Sequence, residues 1–226
     1  MTRRRIALAS AALVAFALAL TGCATNAAPA GVLAGEVDVD AAWLDGGRMI
    51  ALVTWGSSTC VPVATDVTVG VDGGLDVALE DPETDACTAD LALRVTPVGV
   101  PESIDIAQEL DIRVTYEVDG WGETDLDAYD GGTVEPYTPS AAAIDDDVIA
   151  ILTWGSSSCA PVVASAEFDG ETTLVVFETP ASDQVCTMDM APRVTLASAF
   201  NADEAATVTL SGGSDFTDPV TIPLVG

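Results

Sequence analysis

Histidine and lysine are missing from all 226 residues, and the only cationic side chains are seven arginines. Their absence removes the usual bases that activate a serine or cysteine nucleophile, so Ser57, Ser58, Ser156 and Ser157 have no conventional partner for acyl transfer. No GxSxG run occurs, and no paired Asp-Thr-Gly or Asp-Ser-Gly signals an aspartic protease. A carboxylate pair for glycoside hydrolysis remains chemically open, but small folding units leave little room for the cleft it needs. The sequence therefore argues against an enzyme. With no CxxC and no histidine, a zinc shell is equally poorly supplied. Past the first two dozen residues, no stretch keeps a helical period.

The positive charge that exists is concentrated at the start. Arg3, Arg4 and Arg5 precede Ile6 to Leu20, a run of 15 apolar and small residues. That run is short against the roughly 20 residues of a membrane helix and reads as a signal peptide over residues 1–22. Leu20-Thr21-Gly22-Cys23 follows it with the form of a lipobox, which predicts diacylation of Cys23 and cleavage before it. Residues 23–36, small and almost uncharged, then form a tether holding the folded part off the membrane. The expected location is the extracytoplasmic face of the cell membrane, with the lipid as the membrane contact.

Loss of residues 1–22 removes three arginines and none of the 36 acids, so 36 acids face four arginines and the mature chain carries 32 net negative charges. Such a surface repels phosphate backbones, because binding them requires Lys or Arg to displace condensed counterions. Nucleic acid is excluded as a partner. Solubility outside the cell accounts for the acidity, and capture of a cationic partner or a divalent metal is the sharper reading.

What the chain does have is a repeat. Thr54-Trp55-Gly56-Ser57-Ser58-Thr59-Cys60 returns as Thr153-Trp154-Gly155-Ser156-Ser157-Ser158-Cys159. Cys87-Thr88 with Asp90, Arg94 and Thr96 returns as Cys186-Thr187 with Asp189, Arg193 and Thr195, at the same offset of 99. Two copies of one unit are expected, over residues 37–133 and 141–226, joined by a proline-bearing linker at 134–140. With Cys23 lipidated, four cysteines remain, and four permit three pairings. If each copy is covalently self-sufficient, Cys60 pairs with Cys87 and Cys159 with Cys186. Closing each 27-residue interval contributes on the order of 3.5 kcal/mol in the chain-entropy account.

Inside each unit the apolar period is two. Val67, Val69 and Val71 lead into Asp72-Gly73-Gly74, and Leu75, Val77 and Leu79 return; Phe168-Asp169-Gly170-Glu171 repeats the turn in the second copy. Asp-Gly between β-branched runs is a hairpin signal. Further strands are expected over 49–55, 91–100 and 110–118, with counterparts at 148–154, 193–199 and 206–210. A closing strand over 220–224 carries Pro223, which favours an edge. The fold class is all-β: two tandem small sandwich or barrel-like domains, each with one internal disulfide.

Three sets of residues are candidates for function. Trp55, Ser57, Ser58, Trp154, Ser156 and Ser157 would form a ligand rim; the structural reading makes each Trp-Gly-Ser-Ser run a stapled corner whose tryptophan covers the disulfide. Arg94 and Arg193 are expected in structural ion pairs, with Asp90 and Asp189 or an acid of the preceding loop. Asp125, Asp127 and Asp130 precede Gly131-Gly132 and are a candidate calcium site, although the third acid falls at position six where the familiar loop wants position five. A solvated acidic turn fits that spacing better, and Asp145-Asp146-Asp147 reads the same way.

The Trp-Gly-Ser-Ser-Ser-Cys-x-Pro signature, with the later Cys-Thr-x-Asp-(Leu/Met)-x-x-Arg-Val-Thr, resembles segments of uncharacterised secreted lipoproteins of high-GC Gram-positive bacteria. The resemblance covers about residues 50–100 and 149–199, and it implies location and kinship without a task. The functional expectation is a non-catalytic binding or structural module of the cell envelope acting on an unidentified envelope ligand or protein. Its rivals are a protease inhibitor presenting a stapled loop and a calcium-dependent adhesion module.

Overall fold

A computed structural model of the chain describes residues 35–83 and 86–226. The signal peptide, Cys23 and most of the tether lie outside the described residues. Among those described, the regular structure is β-strand with two short 3-10 turns and no α-helix.

The first unit contains β1 (Gly35–Glu36), β2 (Val39–Leu44), β3 (Met49–Gly56), β4 (Val63–Val69), β5 (Leu75–Glu80), β6 (Ala92–Gly99), β7 (Leu110–Tyr116) and β8 (Gly120–Leu126). The second contains β9 (Ser140–Asp145), β10 (Val148–Gly155), β11 (Val163–Phe168), β12 (Thr172–Phe177), β13 (Ala191–Ser198), β14 (Thr207–Gly212) and β15 (Phe216–Val225). In each unit a three-stranded sheet faces a larger one. In the first unit these are β2-β3-β6 and β1-β8-β7-β5-β4; in the second, β9-β10-β13 and β11-β12-β14-β15 are the two layers of one seven-stranded order, joined where the end of β15 pairs with β9. Each unit is therefore a sandwich, with its own apolar core between the sheets. The chain leaves the large sheet after β5 or β12, adds β6 or β13 to the small one, and returns to pair in parallel as β7 or β14.

The expected hairpins are present. Gly73 and Gly170 turn the chain at φ of 92° and 97°, values that a side chain would strain. The last residues assigned to the tether are part of the fold, because Gly35 and Glu36 pair in parallel with Gly120 and Trp121. β15 is not an edge strand, since it lies between β14 and β9; Pro223 stands where β15 pairs only with β14, just before Leu224 and Val225 pair in parallel with β9.

The two sandwiches are not independent. Ile50 and Leu52 point into the first core, so the alternation of a strand turns Met49 and Ala51 to the opposite face. That face meets Ala142, Ala150 and Leu152 of the second unit in a third apolar core. Strands buried on both faces read as unbroken apolar runs, which is why Met49–Val53 and Val148–Leu152 do not alternate. The molecule is a stack of four β layers with the three-stranded ones in the middle. The small sheets run in opposite senses: the end of β2 meets the start of β9, where the Asp45 amide donates to Ser140 Oγ at 2.9 Å. Equivalent strands face one another, as in the isologous interface of a two-fold dimer.

The linker is fastened to the first unit. Arg48 pairs with Asp45 at 2.7 Å and donates to the Val134 carbonyl at 2.9 Å. Trp43 Nε1 donates to the Asp127 carbonyl at 2.8 Å, and its ring meets Tyr129 edge-on.

Candidate functional site

Each signature builds one corner, and the repeated residues account for its bonds. Cys60 is bridged to Cys87 and Cys159 to Cys186, each pair with Cα atoms 5.6 Å apart. β3 ends at Trp55-Gly56, and the turn closes when the Cys60 amide donates to the Ser57 carbonyl at 3.2 Å; Cys159 does the same to Ser156 at 3.3 Å. Ser57 Oγ bonds Thr88 Oγ1 at 2.8 Å, and Ser156 Oγ bonds Thr187 Oγ1 at 2.8 Å. The Ser58 amide donates to Asp90 at 3.3 Å and the Ser157 amide to Asp189 at 3.1 Å. Thr88 and Thr187 also donate to those carboxylates. These donors hold both carboxyls well below the usual range, at about 2, with the serine donors leading at Asp90 and the threonine at Asp189.

Under the corner lies the arginine. Arg94 is almost fully buried, donating to the Cys60 carbonyl at 2.8 Å, the Trp55 carbonyl at 3.2 Å and Thr54 Oγ1 at 3.3 Å. Arg193 donates to the Cys159 carbonyl at 3.0 Å and the Trp154 carbonyl at 3.1 Å. The glycine of the signature makes room for the guanidinium. A Cβ on Gly56 would stand 2.7 Å from Arg94 Nη1, and one on Gly155 2.8 Å from Arg193 Nη1. Thr96 and Thr195 tie down the exit, donating to the Pro62 and Pro161 carbonyls at 2.7 and 3.0 Å.

Two expectations need correction. The ion pairs do not use Asp90 or Asp189, which are committed to the serine turn. Arg94 pairs with Asp81 at 3.5 Å, an acid of the preceding loop, and Arg193 with Asp215 at 2.6 Å. A buried guanidinium takes whichever acid the fold brings to it, and these arrive from β5's end and from the turn before β15. The tryptophans do not cover the disulfides either. Trp154 lies with Ala150 and Leu152 against the core between the units, and Trp55 shares the corresponding face with Met49 and Ala51, away from Thr54 and the arginine. Tyr137 of the linker packs edge-on against Trp154, ring centres 5.1 Å apart, whereas Trp55 is 41% exposed.

As a ligand rim, the six candidate residues fall into two sets. Because β9 and β10 run opposite to β2 and β3, the two serine turns sit at opposite ends of the stack; the hydroxyls of Ser57, Ser156 and Ser157 are occupied by Thr88 and Thr187, and that of Ser58 by Asp90. Asp125 lies in β8, with Asp127 and Asp130 after it; among the described residues no three His, Cys, Asp or Glu side chains gather as a metal site.

The residues the sequence did not single out are Asp81, Tyr116 and Asp215. Tyr116 lays its ring 5.6 Å from the Arg94 guanidinium and donates its hydroxyl to Asp81. Burial, then the Asp81 bond, pushes that phenol up to about 12. The second unit has a cavity of about 300 Å³ against Arg193, walled by Pro161, Phe177, Ala181, Asp215, Phe216 and the disulfide. No local motif marks any of these positions. No family model matches the chain, and no curated protein or solved structure is significantly similar to it.

Proposed function

We propose that the chain is a non-catalytic binding or structural module of the cell envelope, lipid-anchored through Cys23 on the outer face of the cytoplasmic membrane. The observation that carries the non-catalytic part is the fate of the repeated residues. Serines, threonines, aspartates and arginines that would be read as chemistry are bonded to one another at two rigid corners, and no histidine or lysine stands beside them. The anchor rests on the lipobox and on the two disulfides, which persist in oxidising compartments. The high negative charge keeps such a module soluble at the surface.

Labelling cells with radioactive palmitate tests the anchor. The wild-type chain takes up label and fractionates with membranes, and Cys23→Ala loses both properties. Label retained by Cys23→Ala, or a wild-type chain found free of membrane, sinks the reading.

A further inference from the structure

We propose that the cavity beside Arg193 is a binding site for a phenolic ring, taken either as a free phenol or as a tyrosine side chain of a partner. The first unit supplies the template for the occupant. Register along the parallel pairs matches Leu79 with Tyr116 and Phe177 with Gly212, so Gly212 stands where the first unit has its tyrosine. At Gly212 the backbone sits at φ 80°, and a Cβ would meet the Phe177 carbonyl at 2.6 Å, so no ring can be grown from that position. Across the strand pair, Tyr116 faces Gly120 and Gly212 faces Phe216. The second unit has therefore moved its aromatic residue to the neighbouring strand, where Phe216 stacks on Phe177 at 5.4 Å. That move fills the core and leaves the guanidinium corner open.

What remains has the parts that hold Tyr116 in the first unit. Arg193 offers a buried cation for a ring face, and Asp215 stands beside it as Asp81 stands beside Arg94. Asp215 accepts from Arg193 and from Ser214 Oγ, and a carboxylate with about four lone-pair directions can take a further hydroxyl. Pro161, Phe177 and Phe216 supply apolar walls. The volume lies at the low end for ligand pockets and suits a single ring. An anion is disfavoured, since Asp215 already neutralises the arginine and the chain is strongly acidic. The inference deepens the binding half of the proposed function and rests on it, but its test does not depend on the lipid anchor.

The test is a titration of the isotope-labelled full chain with p-cresol, toluene and N-acetyltyrosinamide, followed by amide NMR shifts. The expected result is saturable movement of Cys159, Gly213, Ser214 and Asp215 with p-cresol, and none at Cys60. Ala181→Trp, at an exposed rim position, abolishes it. Asp215→Asn weakens p-cresol about fivefold, the scale of one hydrogen bond to a charged group, and leaves toluene unchanged. Movement with N-acetyltyrosinamide as well assigns the site to peptide tyrosine; movement with p-cresol alone assigns it to free phenols. No saturation, equal affinity for toluene, or equal shifts around Cys60 overturns the proposal, and Cys23→Ala fractionation is untouched by any of these results.

Discussion

The two corners share the disulfide, the serine turn with its carboxylate and the arginine's bonds to two backbone carbonyls, and they differ in almost everything around them. Arg94 is held by Asp81 from the end of β5 and covered by Tyr116 from β7; Arg193 is held by Asp215 from the turn before β15 and lies open to a cavity. The aromatic ring has changed strands, from Tyr116 opposite Gly120 to Phe216 opposite Gly212. The shared residues thus specify a geometry: a stapled turn, a glycine gap and a guanidinium that ties three segments together. The neighbours need only neutralise the cation, and two different acids do so. Constraint lies in the hydrogen bonds to backbone carbonyls, which cannot be moved to another strand.

The largest effect that would sharpen this contrast comes from removing the arginines. Arg94→Ala strands Asp81 with the Cys60 and Trp55 carbonyls in a nearly closed environment, and losing one partner of such a buried pair costs about 3–5 kcal/mol. Arg193→Ala leaves Asp215 where water already reaches it, at 40% side-chain exposure, so its cost falls below that of Arg94→Ala. Urea denaturation of the two variants measures the difference. Equal losses would mean that the carbonyl bonds outweigh the acid partner. Arg94→Lys rescues little, because an ammonium cannot fork to Cys60 and Trp55 together.

The tryptophans come next. Trp154 is packed into the core between the units and against Tyr137, so Trp154→Ala costs about 2 kcal/mol, part of the value for a fully buried ring. Trp55, more than a third exposed, costs less than about 1 kcal/mol when cut to alanine. Melting temperatures read both, and a larger loss at Trp55 would break the assigned asymmetry. A smaller effect tests the contact between the units. Burial first, then the charges of Asp145 and Asp38, raise the Asp40 carboxyl above its usual value. A folded-state value raised above the unfolded one means stability declines as pH rises through that interval, and because Asp40 is largely exposed and screened by solvent, Asp40→Asn raises the melting temperature at neutral pH only slightly. At pH 3, where the carboxyl is protonated in both states, the substitution leaves it unchanged.

The strands, the hairpin turns and the pairing of the cysteines were legible because each depends on local period or on the repeat itself. Val67 to Leu79 states its hairpin in alternation and Asp-Gly, and the offset of 99 selects one disulfide pairing of three. The partners of Arg94 and Arg193 were not legible in the same way. The acids lie 13 residues before one arginine and 22 after the other, and the choice among 36 carboxylates is made by which loop folds over the corner. The face between the units did leave a signal, the unbroken apolar runs of β3 and β10, which a strand with one solvated face would not carry. Reading those runs as ordinary strands left the tryptophans free to be placed over the disulfides.

The smallest prediction asks whether the serine turns are as alike as their bonds. Asp90 and Asp189 both titrate at about 2 in the folded chain, against an ordinary 3.8. A depressed folded value adds stability that is fully present above the unfolded value and is lost as pH falls through the folded one. Both turns therefore stay closed at pH 4 and loosen toward pH 2. The Ser58 and Ser157 amide resonances, which report the bonds to these carboxylates, should titrate together with midpoints near 2. Asp90→Asn should remove the acid response at Ser58 alone, and Asp189→Asn that at Ser157 alone, because the turns sit at opposite ends of the stack. A midpoint near 4 at either amide would show a corner held open in solution. A response at Ser157 to Asp90→Asn would show instead that the middle sheets carry strain from one corner to the other.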